Sequence, residues 1–165
     1  MRKTVAIFGT LMIAAVLIIS GSTVAAWVWA DHHEAAYTYC SNPTQAVGAP
    51  DGSYASLGFD GPPPVLGFIA LDLGSLYAMP ADQDFTVFAD SPIEETYTAY
   101  VGITSDPQYS LYVGGGNDTR DFIFTTPASP PSAWYRYIFL NGTSGVQAGD
   151  YYYGPEIDAV GWDKP

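Results

Sequence analysis

The sequence predicts an all-β sandwich of about eight strands. From Tyr39 onward, short runs rich in Val, Ile, Thr, Tyr and Phe alternate apolar and polar residues with period two, and Gly, Pro, Asn and Asp separate them. No run in this region has the 3.6-residue period of an amphipathic helix, so the helical crossovers of a parallel α/β sheet are not predicted. Short alternating runs with frequent turns are typical of strands that each bury one face.

Seven runs carry this pattern, and an eighth, shorter one lies near residues 54–59. Ile69, Leu71 and Leu73 illustrate it, because alternate residues of a strand share one face. The runs are VLGFIALDL (65–73), DFTVFA (84–89), TYTAYVGIT (96–104), QYSLYV (108–113), RDFIFTT (120–126), WYRYIFL (134–140) and EIDAVGW (156–162).

The first thirty residues read as a separate segment, because Arg2 and Lys3 precede an uncharged, largely apolar run over residues 4–30. A secretory signal peptide, cut before Trp27 or before Asp31, has this organisation. A retained N-terminal hydrophobic helix that anchors the protein in a membrane has it too, since the run is long enough to span about 30 Å. Both alternatives remain open, and both place the rest of the chain outside the cell or on its surface.

Residues 31–39 are predicted to form a short lead-in to a single domain over residues 40–165. His32, His33 and Glu34 lie in this lead-in. Neighbouring residues close to the end of a domain seldom converge on one metal ion, so we interpret them as part of a linker.

The exported part of the chain is strongly acidic. It keeps all 17 acidic residues but three of the five basic ones, which gives residues 31–165 a formal charge of −14. Such a surface repels phosphate groups, and this argues against nucleic acid as a partner. Cys40 is the single cysteine and is predicted to be an unpaired, small apolar residue, with an intermolecular disulfide as the alternative. Asn117 and Asn141 lie in glycosylation sequons.

The residue inventory predicts no catalytic site. Both histidines lie in the lead-in, so neither a Ser–His–Asp arrangement nor a zinc site is expected within the sandwich. The carboxylate pairs Glu94/Glu95 and Glu156/Asp158 resemble the pairs of glycosidases, but 17 acidic residues produce such pairs by chance. We therefore expect a protein that is not an enzyme.

The stretch AVGAPDGSYASLG (46–58) combines rigidity with one negative charge. Gly48 and Gly52 allow unusual dihedral angles, Pro50 restrains the backbone, and Asp51 supplies a carboxylate. Tight loops of this composition bind calcium through carbonyl and carboxylate oxygens. A simple β-turn has the same signature, and from these residues alone both interpretations stay open.

The order of several motifs resembles the discoidin-like, galactose-binding-like jelly rolls, which include coagulation-factor type C domains and microbial carbohydrate-binding modules. The resemblance covers roughly residues 40–163. It implies an eight-stranded jelly-roll β-sandwich whose N- and C-terminal segments meet. The motifs that carry it are AVGAPDG (46–52), SLG (56–58), FIALDLG (68–74), DFTVFAD (84–90), WYRYIFL (134–140) and GPEIDAV (154–160).

The resemblance also implies particular roles for five residues. Asp51 and Glu156 would hold a structural calcium ion, with Asp158 as a third ligand, because many members of the family bind calcium where the chain ends meet. Arg136 corresponds to a basic position of the family and would pair with a buried acid such as Asp72.

Function follows less directly, because members of this family bind different ligands through variable loops. We expect a non-catalytic cell-surface or adhesion domain that recognises carbohydrate or a surface protein. The alternative is a self-assembling structural subunit of a filament, sheath, surface layer or membrane-anchored complex. The candidate ligand-binding residues are the aromatic side chains Tyr54, Phe59, Trp134, Tyr151, Tyr152 and Tyr153.

Overall fold

The computed structural model describes residues 26–34, 39–59, 65–130, 133–148 and 151–164, with the backbone alone at residues 59, 65, 146–148 and 151–153. Its strands are β1 (Ala26–Trp29), β2 (His32–His33), β3 (Ala55–Ser56), β4 (Gly58–Phe59), β5 (Val65–Leu66), β6 (Phe68–Asp72), β7 (Met79–Pro80), β8 (Asp84–Phe88), β9 (Thr96–Gly102), β10 (Leu111–Asn117), β11 (Phe122–Thr125), β12 (Trp134–Tyr135), β13 (Tyr137–Gly142), β14 (Val146–Ala148), β15 (Tyr151–Tyr153), β16 (Glu156–Ile157) and β17 (Ala159–Lys164). Two short 3-10 helices span Pro43–Ala46 and Pro107–Tyr109.

The two main sheets form the predicted all-β sandwich. One has the strand order β1-β17-β8-β11, and the other has the order β10-β9-β13-β6-β2. Short two-stranded ribbons, β12-β7, β14-β15, β16-β3 and β4-β5, complete the described strands. The two main sheets hold nine strands, so the count of eight is not confirmed, and the predicted hydrophobic helix falls largely within residues 1–25, outside the described residues.

The predicted strand runs coincide with the central strands of these sheets, with one shift. In the run QYSLYV, Pro107–Tyr109 forms a 3-10 helix and the strand begins only at Leu111. The reason is local, because the Asp106 side chain accepts a hydrogen bond of 3.0 Å from the Gln108 N–H and caps this turn. No α-helix occurs in the described residues, as the sequence predicted. Within the same residues, no helix is long and apolar enough to cross a membrane.

Alternation along the strands places one apolar face of each sheet in a common core. The buried side chains come from strands of the two main sheets and from the short segments beside them. The largest fully buried side chains of this core are Tyr97, Tyr135, Phe85, Leu57, Ile69, Leu71, Leu73, Met79, Ile138, Leu140 and Ile157.

The outer face of the five-stranded sheet also carries apolar side chains. Ala70, Tyr137 and Phe139 are buried there, and Phe68 and Tyr100 pack against them. Phe139 lies between Phe68 and Tyr137, with ring centroids 5.9 and 6.4 Å away. This sheet is therefore apolar on both faces near its centre.

The sheet pairings move the start of the sandwich from residue 40 to Ala26. Strand β1 pairs with β17, and β2 pairs with β6, so residues assigned to the leader and the lead-in belong to the two main sheets. Val28 and Ala30, which the sequence placed at a cleavage site before Asp31, are core residues with 8% and 1% of their surface exposed. A cut before Asp31 would remove an edge strand and part of the core.

We predict that a fragment beginning at Asp31 is much less stable than one beginning at Ala26. The shorter fragment loses β1, the buried side chains of Val28 and Ala30 and the hydrogen bond from Ala30 N to Val160 O. We expect a loss of at least about 3 kcal/mol, which lowers Tm by about 6–12 °C for a domain of this size. Thermal unfolding of the two fragments measures the difference, and equal melting temperatures would contradict the assignment of β1 to the sandwich.

Candidate functional site

A groove of about 610 Å³ runs along strand β1. Its opposite side is formed by Val47 and Gly48 and by the segment around Tyr77. The described residues that line it are Ala26, Trp27, Val28, Trp29, Ala30, Asp31, Val47, Gly48, Leu73, Tyr77 and Lys164. We call it the Trp27 groove.

Two tryptophans of β1 stack beside the groove. The rings of Trp27 and Trp29 lie 5.0 Å apart at an interplanar angle of 11°, and the Phe88 ring packs edge-on to that of Trp27 at 5.4 Å. The backbone of Gly161 lies beneath Trp29, since a Cβ there would come within 2.5 Å of the indole. Trp27 keeps 43% of its surface exposed, so the stack is held in place and yet accessible.

Local sequence explains why both tryptophans lie on the outer face. In AWVWA, Val28 and Ala30 alternate with Trp27 and Trp29, and the two small residues enter the core. This alternation is the signal that the sequence analysis missed, because the preceding apolar run made the same residues look like the end of a leader.

On the core-facing side of β1 the groove is lined by the Tyr77 ring and the Lys164 ammonium group, whereas the stacked tryptophan rings lie on the outer face of the strand. The Nζ of Lys164 lies 5.5 Å from the centroid of the Tyr77 ring, within the range of a cation–π interaction. The Tyr77 carbonyl accepts a hydrogen bond of 3.0 Å from Nε1 of Trp162, a core residue of β17. The turn that carries Tyr77 is therefore tied to the same strand that carries Lys164.

Asp31 supplies the carboxylate of the groove. Its backbone N–H donates a hydrogen bond of 2.7 Å to the carbonyl of Asp72, while 72% of its side chain is exposed. Gly74 lies beside it, because a Cβ at Gly74 would be 3.6 Å from Asp31 Oδ2. The groove thus combines flat aromatic surface with one carboxylate and one ammonium group.

The predicted pair between Arg136 and Asp72 is confirmed. Arg136 Nε donates to Asp72 Oδ1 at 2.6 Å, and Nη2 donates to Oδ2, so the contact is bidentate. The Asp72 side chain is fully buried. Burial alone would raise the pKa of Asp72, but the hydrogen bonds from Arg136 and from Gly74 N, together with the Arg136 charge, hold it below its usual value of 3.8.

His32 and Glu34 lie next to this pair, although the sequence placed them in a linker. His32 Nε2 is 3.2 Å from Asp72 Oδ2 and 3.7 Å from Glu34 Oε1. These three residues form the one group of potential metal ligands among the described residues. Asp72, however, already receives two hydrogen bonds from Arg136 and one from Gly74 N, and a guanidinium beside it opposes a second cation.

The loop predicted to bind calcium does meet the C-terminal strands. The Asp158 carboxylate accepts hydrogen bonds from Asp51 N at 3.0 Å and Gly52 N at 3.1 Å, while Asp51 Oδ1 accepts one from Ser53 N at 2.8 Å. Two N–H groups therefore face the carboxylate, where a calcium ion would need oxygen atoms. Hydrogen bonds thus join the two chain segments directly.

The three predicted calcium ligands do not form one convergent group within the described part of the chain. The backbone N–H of Glu156 donates its hydrogen bond to Asp118 Oδ2, at 3.0 Å, and not to the loop around Asp51. Its side chain lines a separate pocket of about 200 Å³ with the buried Glu95. The donor set of Asp51, Glu156 and Asp158 does not fit a calcium ion in this arrangement, and the calcium site stays a prediction from the sequence.

The aromatic residues predicted to bind ligand lie in different parts of the fold. Tyr54 is half-buried just before β3, and burial followed by the charge of Asp158 raises its pKa. Trp134 is 61% exposed on β12, where it pairs with Pro80 of β7. For Tyr151–Tyr153 the structure describes a strand backbone paired with β14, and for Phe59 the backbone of β4; their side chains lie outside the described residues.

The modification candidates and the cysteine have ordinary surroundings. The Asn117 side chain bonds with Thr119 and Glu94, and Asn141 is a half-buried residue of β13. Glycosylation at both remains a prediction. Cys40 is a free, half-buried thiol that packs against the core, and burial raises its pKa to about 12.

Comparisons with known proteins find a likeness in structure. No protein-family model matches the chain, and no curated protein matches it. A solved structure described as "CBM32 of AlyQ in complex with 4,5-unsaturated mannuronic acid" is similar to it, with 18% identity and a TM-score of 0.45 over 81% of this chain and 96% of that chain. That neighbour has a discoidin-like, galactose-binding-like fold.

We predict that Asp72→Asn destabilises the protein and flattens its response to acid. At neutral pH the variant leaves Arg136 without its carboxylate, at a cost of about 3 kcal/mol. Because the pKa of Asp72 is lower in the folded state than its usual 3.8, its contribution is present above that pH and is lost as the pH falls below it. Urea unfolding between about pH 3 and pH 7 measures both effects.

Asp106→Asn is the matched control for this experiment, since Asp106 is exposed and an asparagine can still accept the bond from Gln108 N. We expect its stability to follow the wild-type curve closely. Parallel pH curves for the wild type and Asp72→Asn would contradict the assignment of the acid response to Asp72.

We predict that Asp158→Ala lowers Tm by about 4–8 °C, because it removes two hydrogen bonds at a cost of about 2 kcal/mol. Asp51→Ala keeps the backbone N–H that bonds to Asp158, so its effect should be smaller. Thermal unfolding with added calcium and with a chelator should give the same Tm for the wild type. A chelator-dependent fall that disappears in Asp51→Ala would instead establish the calcium site.

Proposed function

We propose that this protein is a non-catalytic carbohydrate-binding domain and that the Trp27 groove is its binding site. The observation that carries the proposal is the parallel stack of Trp27 and Trp29 beside an open groove of about 610 Å³. A pyranose ring has one apolar face of C–H groups and an edge of hydroxyls. A flat indole covers such a face, and the polar groups of the groove bind the hydroxyls.

The polar groups of the groove match the edge of a sugar. The Asp31 carboxylate accepts hydrogen bonds from hydroxyls, and the Lys164 ammonium donates them. Both residues line the groove, together with Trp27 and Tyr77. A site with few polar groups and much aromatic surface orients a ligand without burying unpaired charge.

The groove favours binding over hydrolysis. Most glycosidases place two carboxyl groups on either side of the bond that they cleave. Of the described residues that line the groove, Asp31 alone carries a carboxyl group. A single carboxylate supports recognition, and this supports a non-catalytic role.

We propose further that the domain acts outside the cell or at its surface. The support is the apolar run that precedes β1 and the acidic composition of residues 31–165. Since β1 begins at Ala26, a leader or anchor would end close to the groove. Binding of surface glycans, and adhesion through them, is the role that this placement favours.

We predict that Trp27→Ala weakens glycan binding at least about tenfold, because central tryptophans dominate binding energy at such sites. The matched control is Trp134→Ala, which removes another exposed tryptophan from a strand outside the groove. The full-length wild type and both variants are tested on a glycan array, and calorimetry then measures the affinity for the strongest ligand. Unfolding curves show that the variants are folded.

The outcomes separate the candidate sites and functions. Loss of binding in Trp134→Ala with none in Trp27→Ala would move the site to the residue that the sequence predicted. Absence of binding to every glycan by the folded wild type would overturn the proposed function. Assemblies seen by native mass spectrometry in that case would favour the structural-subunit alternative.

A further inference from the structure

Negative charges predominate around the Trp27 groove. Its described lining holds one carboxylate, Asp31, and one ammonium group, Lys164. The register of β1 and β17 pairs the exposed Asp163 with Trp27, so this carboxylate lies on the same face of the sheet as the tryptophan stack but outside the described lining of the groove. The chain as a whole has a formal net charge of −12, so the wider field has the same sign.

The single cation of the described lining already has a partner. Lys164 Nζ lies over the Tyr77 ring at 5.5 Å from its centroid, on the face of the sheet opposite to the tryptophan rings. A cation held in this way donates to hydroxyls without requiring an anionic ligand. With Asp31 and Asp163 nearby, it does not make the groove positive.

Asp31 is the charged group in the best position to act on a ligand. Its backbone is held by the 2.7 Å hydrogen bond from its N–H to the carbonyl of Asp72, and Gly74 leaves space beside its carboxylate. The Asp31 side chain is 72% exposed, and the basic group described near it is His32 Nδ1 at 3.8 Å. A carboxylate of this kind accepts hydrogen bonds from hydroxyl and ammonium groups and repels other anions.

Resting on the proposed glycan function, we infer that the Trp27 groove selects neutral or amine-bearing glycans and rejects uronates and sulfated sugars. Asp31 is the residue that imposes this selection. The aromatic stack binds the apolar face of any pyranose, so it supplies affinity without distinguishing the charge of the sugar. Discrimination comes from the carboxylate, because a ligand anion beside it costs binding energy that a neutral group does not.

The test compares pairs of sugars that have the same backbone and differ at one charged group. Full-length protein is measured against homogalacturonan in its acid and methyl-ester forms, and against oligosaccharides of chitosan and of chitin. We expect the methyl ester to bind about tenfold more tightly than the acid form at low salt, and the amine form at least as tightly as its acetylated counterpart. The difference should shrink in about 0.5 M NaCl, because salt screens charges at an exposed site.

Asp31→Asn identifies the residue responsible. This variant should reduce the ratio of the affinities for the ester and acid forms by about threefold to tenfold, since it removes the charge while keeping the side-chain shape. Asp82→Asn is the matched control, because Asp82 is exposed in the turn between β7 and β8 at φ 60°, a backbone angle that asparagine tolerates. It changes the net charge by the same amount, and we expect it to leave the ratio unchanged.

Each outcome decides one of the two proposals. Tighter binding of the acid form, or an equal reduction of the ratio in both variants, would overturn the assignment of selectivity to Asp31 while leaving glycan binding intact. If the folded protein binds none of these sugars and no other glycan of the array, the proposed function itself is overturned. A preference for the ester that Asp31→Asn reduces would support the inference.

Discussion

The buried carboxylate of Asp72 is the interaction on which the candidate site depends. A charge without solvent is tolerated only when its hydrogen bonds are complete, and Asp72 receives them from Arg136 and from Gly74 N. Its backbone carbonyl also accepts the N–H of Asp31. One residue therefore joins the connection between β1 and β2 to the turn after β6. Both segments form walls of the groove, so the buried pair sets the position of the groove's own carboxylate.

The last strand of the sandwich holds the other parts of the site. Strand β17 pairs with all four residues of β1, and Nε1 of its Trp162 donates a hydrogen bond to the Tyr77 carbonyl. Asp158, just before β17, closes the loop around Asp51 through two backbone N–H groups. The two ends of the described chain are thus joined by backbone pairing and side-chain hydrogen bonds. Because the aromatic rings are anchored on rigid strands, binding a ligand requires little ordering of the site.

An aromatic pair on the outside of a sheet has a clear physical requirement. Trp29 can lie flat there because Gly161 offers no side chain beneath it, Trp27 stacks on Trp29, and Phe88 packs against both rings. The alternate residues Val28 and Ala30 pack in the core instead. In the five residues AWVWA, alternation therefore places the small side chains in the core, where they stabilise the fold. It places the two tryptophans on the surface, where they are available to a ligand.

Three features could be predicted from the sequence: the all-β class, most of the central strands and the pairing of Arg136 with Asp72. Those conclusions rest on period-two patterns, charge and a motif, which need no knowledge of distant contacts. The position of β1 could be located only in the folded chain. Its four residues directly follow an apolar, leader-like run, and their alternation is too short to distinguish them from that run. Pairing with β17, near the other end of the chain, shows that AWVW is an edge strand of the sandwich that also lines the groove.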